Sequence, residues 1–408
     1  MKRLEFQGKE LFASAGIPVP PSRLVRITNP DGTPVDTGPD DVHARVRHAV
    51  DELAENCSDA PLRAVAVKAQ LDMGGRGKAG LIELVTSDGS PVEDLASQAV
   101  SACDRICNRG YRIPALLIEE AVDLREELYL SISVDPCLAC HVVLASREGG
   151  VEIETLARER PDAILRLNVD PFRGLQTYQA RGLAYDLGLR GAHAQRFASL
   201  LAQLYAVFTR YDAELVEINP VFVTDSVPEL VAGDAKVIID DNSLYRQADF
   251  PLEREQYDSD AAYEAALEGI PYLQFDGSIS LMCAGAGLTT TVFDLVNYFG
   301  GSVANYLEFG GPNYQKAQRA MELCLQNRSA VILIVTFGTI ARADVMAEGV
   351  VQAIRTLQPD RPVVTCIRGT NEEGADSILR EAGLTPLYDT EEAVRLAVRL
   401  AADAEVRS

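Results

Sequence analysis

An α+β domain followed by an α/β domain with a parallel, five-stranded, doubly wound sheet is the architecture this sequence predicts. Three observations predict it. Short β-runs and helical patterns mix without regular alternation through the first part of the chain; an acidic, polar stretch follows; and from residue 278 strand and helix patterns alternate regularly.

In the first part, strands are expected at 64–71, 81–85, 115–119, 127–134, 141–145, 215–218 and 230–239. Short turns between neighbours favour antiparallel pairing. Helical periodicity marks 92–107 and, most clearly, 194–211, where Phe197, Leu200, Leu201, Leu204 and Phe208 share one face. Residues 251–269 (PLEREQYDSDAAYEAALEG) are polar and poor in β-branched residues, so 250–277 is expected to connect a domain at 1–249 to one at 278–408. There the order is ISLMCAG, helix, ANYLEFGG, helix, AVILIVTFG, helix, PVVTCIRG, helix, PLYD, helix: five strands with helices on both faces. Gly285 and Gly287, Gly310 and Gly311, and Gly338 each close a strand just before a helix. Helix N-termini are therefore expected along the carboxyl edge of the sheet, where small anions bind.

Composition narrows the function. With 60 acidic and 38 basic residues the net charge is −22, which argues against a nucleic-acid partner or an anionic membrane surface. The longest apolar run, around 330–335, is strand-length rather than membrane-spanning. The opening MKRLEFQGKELF places Glu5, Gln7 and Lys9 where a signal peptide needs an apolar stretch, so a cytoplasmic protein is expected. Eight scattered cysteines do not make a disulfide framework. Cys137-Leu-Ala-Cys140-His141 matches a haem-attachment pattern, but Asp135 and Pro136 put it at a turn between two alternating runs, and a hairpin is the better reading.

Three groups of residues could carry chemistry. Lys68 sits mid-strand in AVAVKAQ, where an ammonium needs an anion. Behind it, Gly74-Gly-Arg76-Gly77-Lys78-Ala-Gly80 can bring backbone N–H groups and positive charge to phosphate, although alone it reads equally well as a surface hairpin. Glu217 and Asn219 in LVEINP share a strand face, and Asp234 follows in GDAK; together they offer the hard oxygens Mg²⁺ prefers. Glu119 closes an apolar strand and Glu127 opens the next, so both can accept hydrogen bonds from a nucleotide.

These segments resemble the succinyl-CoA synthetase β-subunit family of NDP-forming acyl-CoA ligases, to which malate-CoA ligase is related. The resemblance rests on EFQGKELFASAGIPVP, VKAQLDMGGRGKAG, EELYLSISVD, ASREGGVEIE, LVEINPVFVT, the DAK at 234–236, GAGLTT and FGTIARAD. It implies an ATP-grasp domain followed by a flavodoxin-like α/β domain. It further implies ATP phosphate contacts from Lys68 and Gly75-Arg76-Gly77, and adenosine contacts from Glu119, Val122 and Glu127. Asn219 and Asp234 would hold Mg²⁺, and Glu217 would steady a phosphohistidine. Ala284, with Gly338, Thr339 and Ile340, would lie where phosphate and the acid meet. Pro20 stands where ATP-using members carry proline.

The family's nucleophile is a histidine on an α subunit that also carries the CoA-binding domain. His43 and His48 read as helical, His141 falls at the hairpin and His193 in a loop; none lies in a glycine-rich catalytic loop. An α-subunit partner, as a heterodimer or heterotetramer, is therefore implied, with ATP, CoA and a small carboxylic acid as substrates. There are departures. Ala284 replaces an asparagine and Thr339 a glycine of succinate-using members, Asp72 replaces a histidine, Leu81 replaces a glycine, and 26–61 is longer. The first two imply that succinate is a poor substrate and that a related acid, a substituted dicarboxylate, is preferred. A carboxylate–amine ligase and an inactive partner chain are the alternatives.

Overall fold

Short apolar strands, covered by amphipathic helices, build the first unit. The computed structural model describes residues 1–29, 39–56, 61–87, 92–225, 229–247, 250–310, 316–339 and 341–405. They form two compact units, Met1–Pro251 and Leu252–Ser408. In chain order the first unit begins with β1 (Lys2–Arg3), α1 (Glu5–Ser14), β2 (Ser22–Arg26), α2 (Pro39–Asn56), β3 (Ala64–Gln70), β4 (Ile82–Thr86), α3 (Val92–Cys107) and β5 (Ala115–Glu120). It continues with β6 (Glu126–Asp135), β7 (Cys140–Ser146), α4 (Ile153–Glu159), β8 (Ile164–Val169), α5 (Thr177–Asp186), α6 (Gly191–Arg210), β9 (Ala213–Val223), β10 (Leu230–Ala232) and β11 (Lys236–Ile239).

Two antiparallel sheets result. The four-stranded sheet runs β2-β5-β3-β4. Its Val65, Val67, Ala69, Leu116 and Ile118 face α2 and α3 in a closed core. The pleat sends Lys68, Gln70 and Glu119 to the other face, because Lys68 pairs with Leu117 and Ala66 with Glu119. The second sheet runs β1-β11-β9-β6-β7-β8, with β10 on β9. Phe197, Leu200, Leu201, Leu204 and Phe208 of α6 cover it. The expected hairpin forms, with Asp135 opposite Cys140, and Asp135 Oδ1 accepts from the Cys137 and Leu138 amides. His193 lies in the first turn of α6 rather than in a loop. The run 230–239 is not one strand: it breaks at Gly233–Ala235, and the break matters below.

The second unit holds α7 (Asp260–Leu267), β12 (Tyr272–Gln274), β13 (Ile279–Cys283), α8 (Ala286–Tyr298), β14 (Val303–Leu307), α9 (Ala317–Leu325), β15 (Val331–Gly338), α10 (Ala343–Leu357), β16 (Val363–Gly369), α11 (Glu372–Glu381) and α12 (Thr390–Glu405). β13, buried at every residue, and β15, buried at all but Phe337, need cover on both faces. α8 and α12 supply one layer; α7, α9, α10 and α11 supply the other.

The sheet has five strands in the order β12-β14-β13-β15-β16, four of them parallel. The fifth is not PLYD. That segment gives β16 one backbone–backbone bond, Leu387 N–H to the Thr365 carbonyl at 3.1 Å, and its Tyr388 carbonyl accepts from the Arg368 side chain. The fifth strand is β12, antiparallel to β14, and it comes from the stretch 250–277 that reads as a connection. From β13 the chain turns to one side and from β15 to the other, so the crevice beyond their carboxyl ends is a topological switch point. Among the described residues, no helix is long and apolar enough to cross a membrane.

Candidate active site

Six charges meet where the polar face of the four-stranded sheet approaches the Gly233–Ala235 break. Lys68 Nζ donates to Glu5 Oε1 (3.0 Å), Glu119 Oε1 (2.7 Å) and the Gly233 carbonyl (2.8 Å). Lys9, one turn along α1 from Glu5, reaches Glu5 Oε1 at 2.9 Å, the Gly233 carbonyl at 2.9 Å, and the other oxygen of Glu119. Arg76 turns inward from the glycine loop. Its Nη1 lies 2.7 Å from Glu5 Oε2 and 3.0 Å from the Ala69 carbonyl, and its Nη2 lies 3.0 and 3.1 Å from the Asp234 oxygens.

Three cations thus balance three carboxylates, which burial of this depth requires. Burial opposes the charge on Lys68, yet Glu5, Glu119 and Asp234 outweigh it and hold the ammonium protonated well above the usual lysine range. Burial would raise the Glu5 carboxyl, but Lys68, Lys9 and Arg76 override it and hold it well below the carboxylate range. Asp234 is the open end of the cluster, its side chain 34% exposed against 1% for Glu5.

Three of the four glycines of the loop over this cluster are not packed. A Cβ at Gly74, Gly75 or Gly77 would meet nothing within 4 Å, and Gly75 has a φ of +71°, which favours glycine. Backbone is left bare above Arg76, as an anion-binding loop needs. Lys78 points out and pairs with Glu152 at 2.8 Å.

Glu217 and Asn219 stand beside the cluster on β9. Glu217 lies opposite Ser131 and Lys236, and Tyr129 Oη donates to its Oε2 at 3.1 Å. Burial raises the Glu217 carboxyl, and Asp234 and Glu154 add to the rise. Asn219 Oδ1 accepts from Gly150 N–H (2.8 Å) and its Nδ2 donates to the Val151 carbonyl (2.9 Å). The β9–β11 register continues through Gly233 N–H donating to the Pro220 carbonyl, which sets Asp234 across from Asn219. Among the described residues, no group of three or more His, Cys, Asp or Glu could hold a metal alone. A carboxylate and an amide oxygen fit a cation that takes its other ligands from substrate phosphates and water, the usual situation of Mg²⁺. Val122 lies half-buried in the β5–β6 turn. Glu127 follows, its carbonyl accepting from Gly149 N–H at 3.0 Å.

In the second unit, the switch point brings Ala284, after β13, alongside the end of β15, whose last residue is Gly338 and which Thr339 follows. Ala284 N–H donates to the Val335 carbonyl at 3.2 Å, and a Cβ on Gly310 would come within 2.5 Å of the Ala284 methyl. Gly285, with φ +93°, starts α8. Gly369 passes so near that a Cβ there would lie 2.1 Å from the Gly338 carbonyl. Thr339 is exposed and its carbonyl accepts from Thr370 Oγ1 at 3.3 Å. Ile340, the neighbour expected here, and Gly311 lie outside the described residues.

Comparison with known proteins now decides the family. A profile for the ATP-grasp domain matches residues 37–223, and one for CoA-ligase matches 282–400. An ADP-forming sulfoacetate-CoA ligase subunit, SqwK of Acholeplasma sp, is 51% identical over 98% of this chain and 92% of its own length. The SauC subunit of a sulfoacetate-CoA ligase from Bilophila wadsworthia is 49% identical, over 98% and 99%. The succinate–CoA ligase β subunit of Ignicoccus hospitalis is 37% identical, over 98% and 99%. The chain belongs to the ADP-forming CoA ligase family. The ATP citrate lyase of Methanothrix soehngenii, solved with citrate and coenzyme A, shares the fold, with a TM-score of 0.68 at 20% identity over 98% of this chain and 99% of that one.

In this CoA ligase chain, four of the residues expected from sequence, Lys68, Arg76, Glu119 and Asp234, meet in one cluster, with two surprises. Glu119, expected beside adenosine, has both oxygens on ammonium groups, and Arg76 grips carboxylates. The sequence reading missed Glu5 and Lys9, which it used only against a signal peptide, and Tyr129. Two departures from the resembled family are settled locally: Leu81 is fully buried in the core against α3, and Asp72 pairs with Lys2 at 3.0 Å.

Proposed function

We propose that this ligase subunit serves an ADP-forming ligase that joins sulfoacetate to CoA, working with an α subunit that carries the CoA-binding domain and a phosphorylated histidine. One observation carries the choice of acid. Both sulfoacetate-CoA ligase subunits are about half identical to this chain along its length, whereas the succinate–CoA ligase β subunits stand at 36–37%. Ala284 and Thr339 support it: a site without the asparagine of succinate-using members lacks one donor to a planar carboxylate. A short acid ending in a tetrahedral sulfonate presents a different anion to the helix ends.

In the first unit, Lys68, Arg76 and the bare backbone of Gly75–Gly77 would receive the ATP phosphates, and Glu119, Val122 and Glu127 the nucleoside side. Asn219 and Asp234 would hold Mg²⁺, which supplies charge neutralisation to the phosphates. The γ-phosphoryl group leaves ADP for an imidazole nitrogen of the partner's histidine, and Glu217, oriented by Tyr129, steadies that ring. Such transfers are accelerated mainly by positioning and charge stabilisation, which this arrangement offers. The acid carboxylate then takes the phosphoryl group, and the CoA sulfur attacks the acyl carbon as phosphate departs.

The test is acid-dependent ADP release by the reconstituted pair over sulfoacetate, succinate, malate, malonate and acetate. Sulfoacetate is expected to give the highest kcat/KM. A higher value for succinate refutes the choice of acid.

A further inference from the structure

Glu5 and Lys9 have no part in the function just proposed, yet both are buried members of the charge cluster, more enclosed than Lys68 and Arg76. Lys9 duplicates Lys68. Both ammoniums contact Glu5 Oε1, both donate to the Gly233 carbonyl, and each takes one oxygen of Glu119. Glu5 in turn spans all three cations, with one oxygen on the two lysines and the other on Arg76.

This leaves the proposed phosphate ligands fully engaged. The three N–H bonds of Lys68 already have three acceptors, and Nη1 of Arg76 is shared between Glu5 and the Ala69 carbonyl. A phosphate oxygen reaches Lys68 only if one carboxylate gives it up. A carboxylate released at this depth and left alone would be an uncompensated buried charge, which proteins do not tolerate cheaply. Lys9 already holds both candidates. It also enters from α1 rather than from β3, so it stays in place when Lys68 turns.

We propose that Glu5 and Lys9 are positioning residues for the phosphate site: Glu5 holds Lys68 and Arg76 until phosphate arrives, and Lys9 keeps Glu5 and Glu119 paired once Lys68 turns to it. The idea rests on the reading that Lys68 meets the ATP phosphates. It makes the two residues act in opposite directions. Glu5 competes with phosphate, so removing its charge frees two cations for ATP. Lys9 relieves Lys68, so removing it pins Lys68 between two carboxylates.

The test is steady-state kinetics of the assembled ligase with separate KM values for ATP, CoA and acid, alongside melting temperatures. Lys9→Met is expected to raise the ATP KM at least tenfold and leave the other two within twofold. Glu5→Gln is expected to lower the ATP KM at least threefold, and the double variant Lys9→Met/Glu5→Gln, which restores charge balance, to return within threefold of the native value. A purely structural role lowers the melting temperature of both single variants without opposite shifts in ATP KM. An unchanged ATP KM in Lys9→Met, or a raised one in Glu5→Gln, overturns the proposal. If Lys9→Met does not fold, Glu5→Gln and the double variant still decide. Lys68→Met separates the two levels: if it leaves the ATP KM unchanged, the reading of Lys68 itself fails. If it raises that KM while Lys9→Met does not, only the present inference falls.

Discussion

Asp234→Asn tests the proposed metal role of Asp234 with one atom changed. The side chain keeps its size, and its Oδ1 can still accept from Ala235 N–H, a bond of 2.7 Å in the native chain. Arg76 loses a charged partner but keeps Glu5 at 2.7 Å and the Ala69 carbonyl at 3.0 Å, so no buried cation is stranded. A charge-assisted bond contributes roughly 1.5–3 kcal/mol when enclosed. Asp234 is a third exposed, which screens the pair, so the loss of fold stability is expected to be only about 1 kcal/mol. Chemistry is expected to lose more, because the charge would act on the transferring phosphoryl group. Removing one such preorganised group typically costs about 3 kcal/mol, roughly a hundredfold in rate. The assay is ATP-dependent phosphorylation of the partner subunit across a magnesium titration, with urea unfolding in parallel. Unchanged phosphotransfer at limiting magnesium would refute the metal assignment, and a collapse of stability would show that the ion pair with Arg76 is the residue's main task.

Three further outcomes are expected. Because the folded state holds the Glu5 carboxyl well below its unfolded value, its stabilisation is present above that unfolded value of about 4.3 and is lost as pH falls through the lowered one. Glu5→Gln should therefore melt below the native chain at pH 7, with the gap closing under acid; a gap independent of pH would show that the loss is one of packing. Burial raises Glu217, so Glu217→Gln, which keeps an acceptor for Tyr129, should melt no lower than native at pH 7 while partner phosphorylation drops about a hundredfold. A fall of several degrees would count against this. Gly369→Ala, at φ +114° and with its methyl 2.1 Å from the Gly338 carbonyl, should lose about 2–4 kcal/mol in denaturant titration. A neutral outcome would mean that the turn after β15 can shift.

What was legible in the sequence had a local cause. Lys68 stands out as a charge inside an otherwise apolar strand run, AVAVKAQ. Glu217 and Asn219 stand out because a strand period of two puts them on one face, and the second unit by glycines at strand ends. The rest depended on contacts far apart in the chain. Glu5 and Lys9 are four apart on a helix, a spacing that ordinarily marks an exposed pair. They are buried only because Lys9 meets Glu119, 110 residues away, and the Gly233 carbonyl, 224 away. β12 is three residues long after Pro271, too short for any periodicity, and pairing with β14 alone makes it a strand.

The break at Gly233–Ala235 shows how that dependence arises. The register of β10 and β11 on β9 is continuous, and it sets Gly233 opposite Pro220, which has no N–H to give back. The Gly233 carbonyl is therefore left to accept from both lysines, while Asp234 meets Arg76. The same carbonyl therefore ties α1 and β3 to the second sheet. Three buried cations need acceptors, and acceptors that are themselves mobile would hold nothing in place. Backbone carbonyl and carboxylates on three separate elements supply fixed ones. The geometry that holds Lys68 is thus the geometry that joins the two halves of the first unit, and its cost is six charges that must stay balanced.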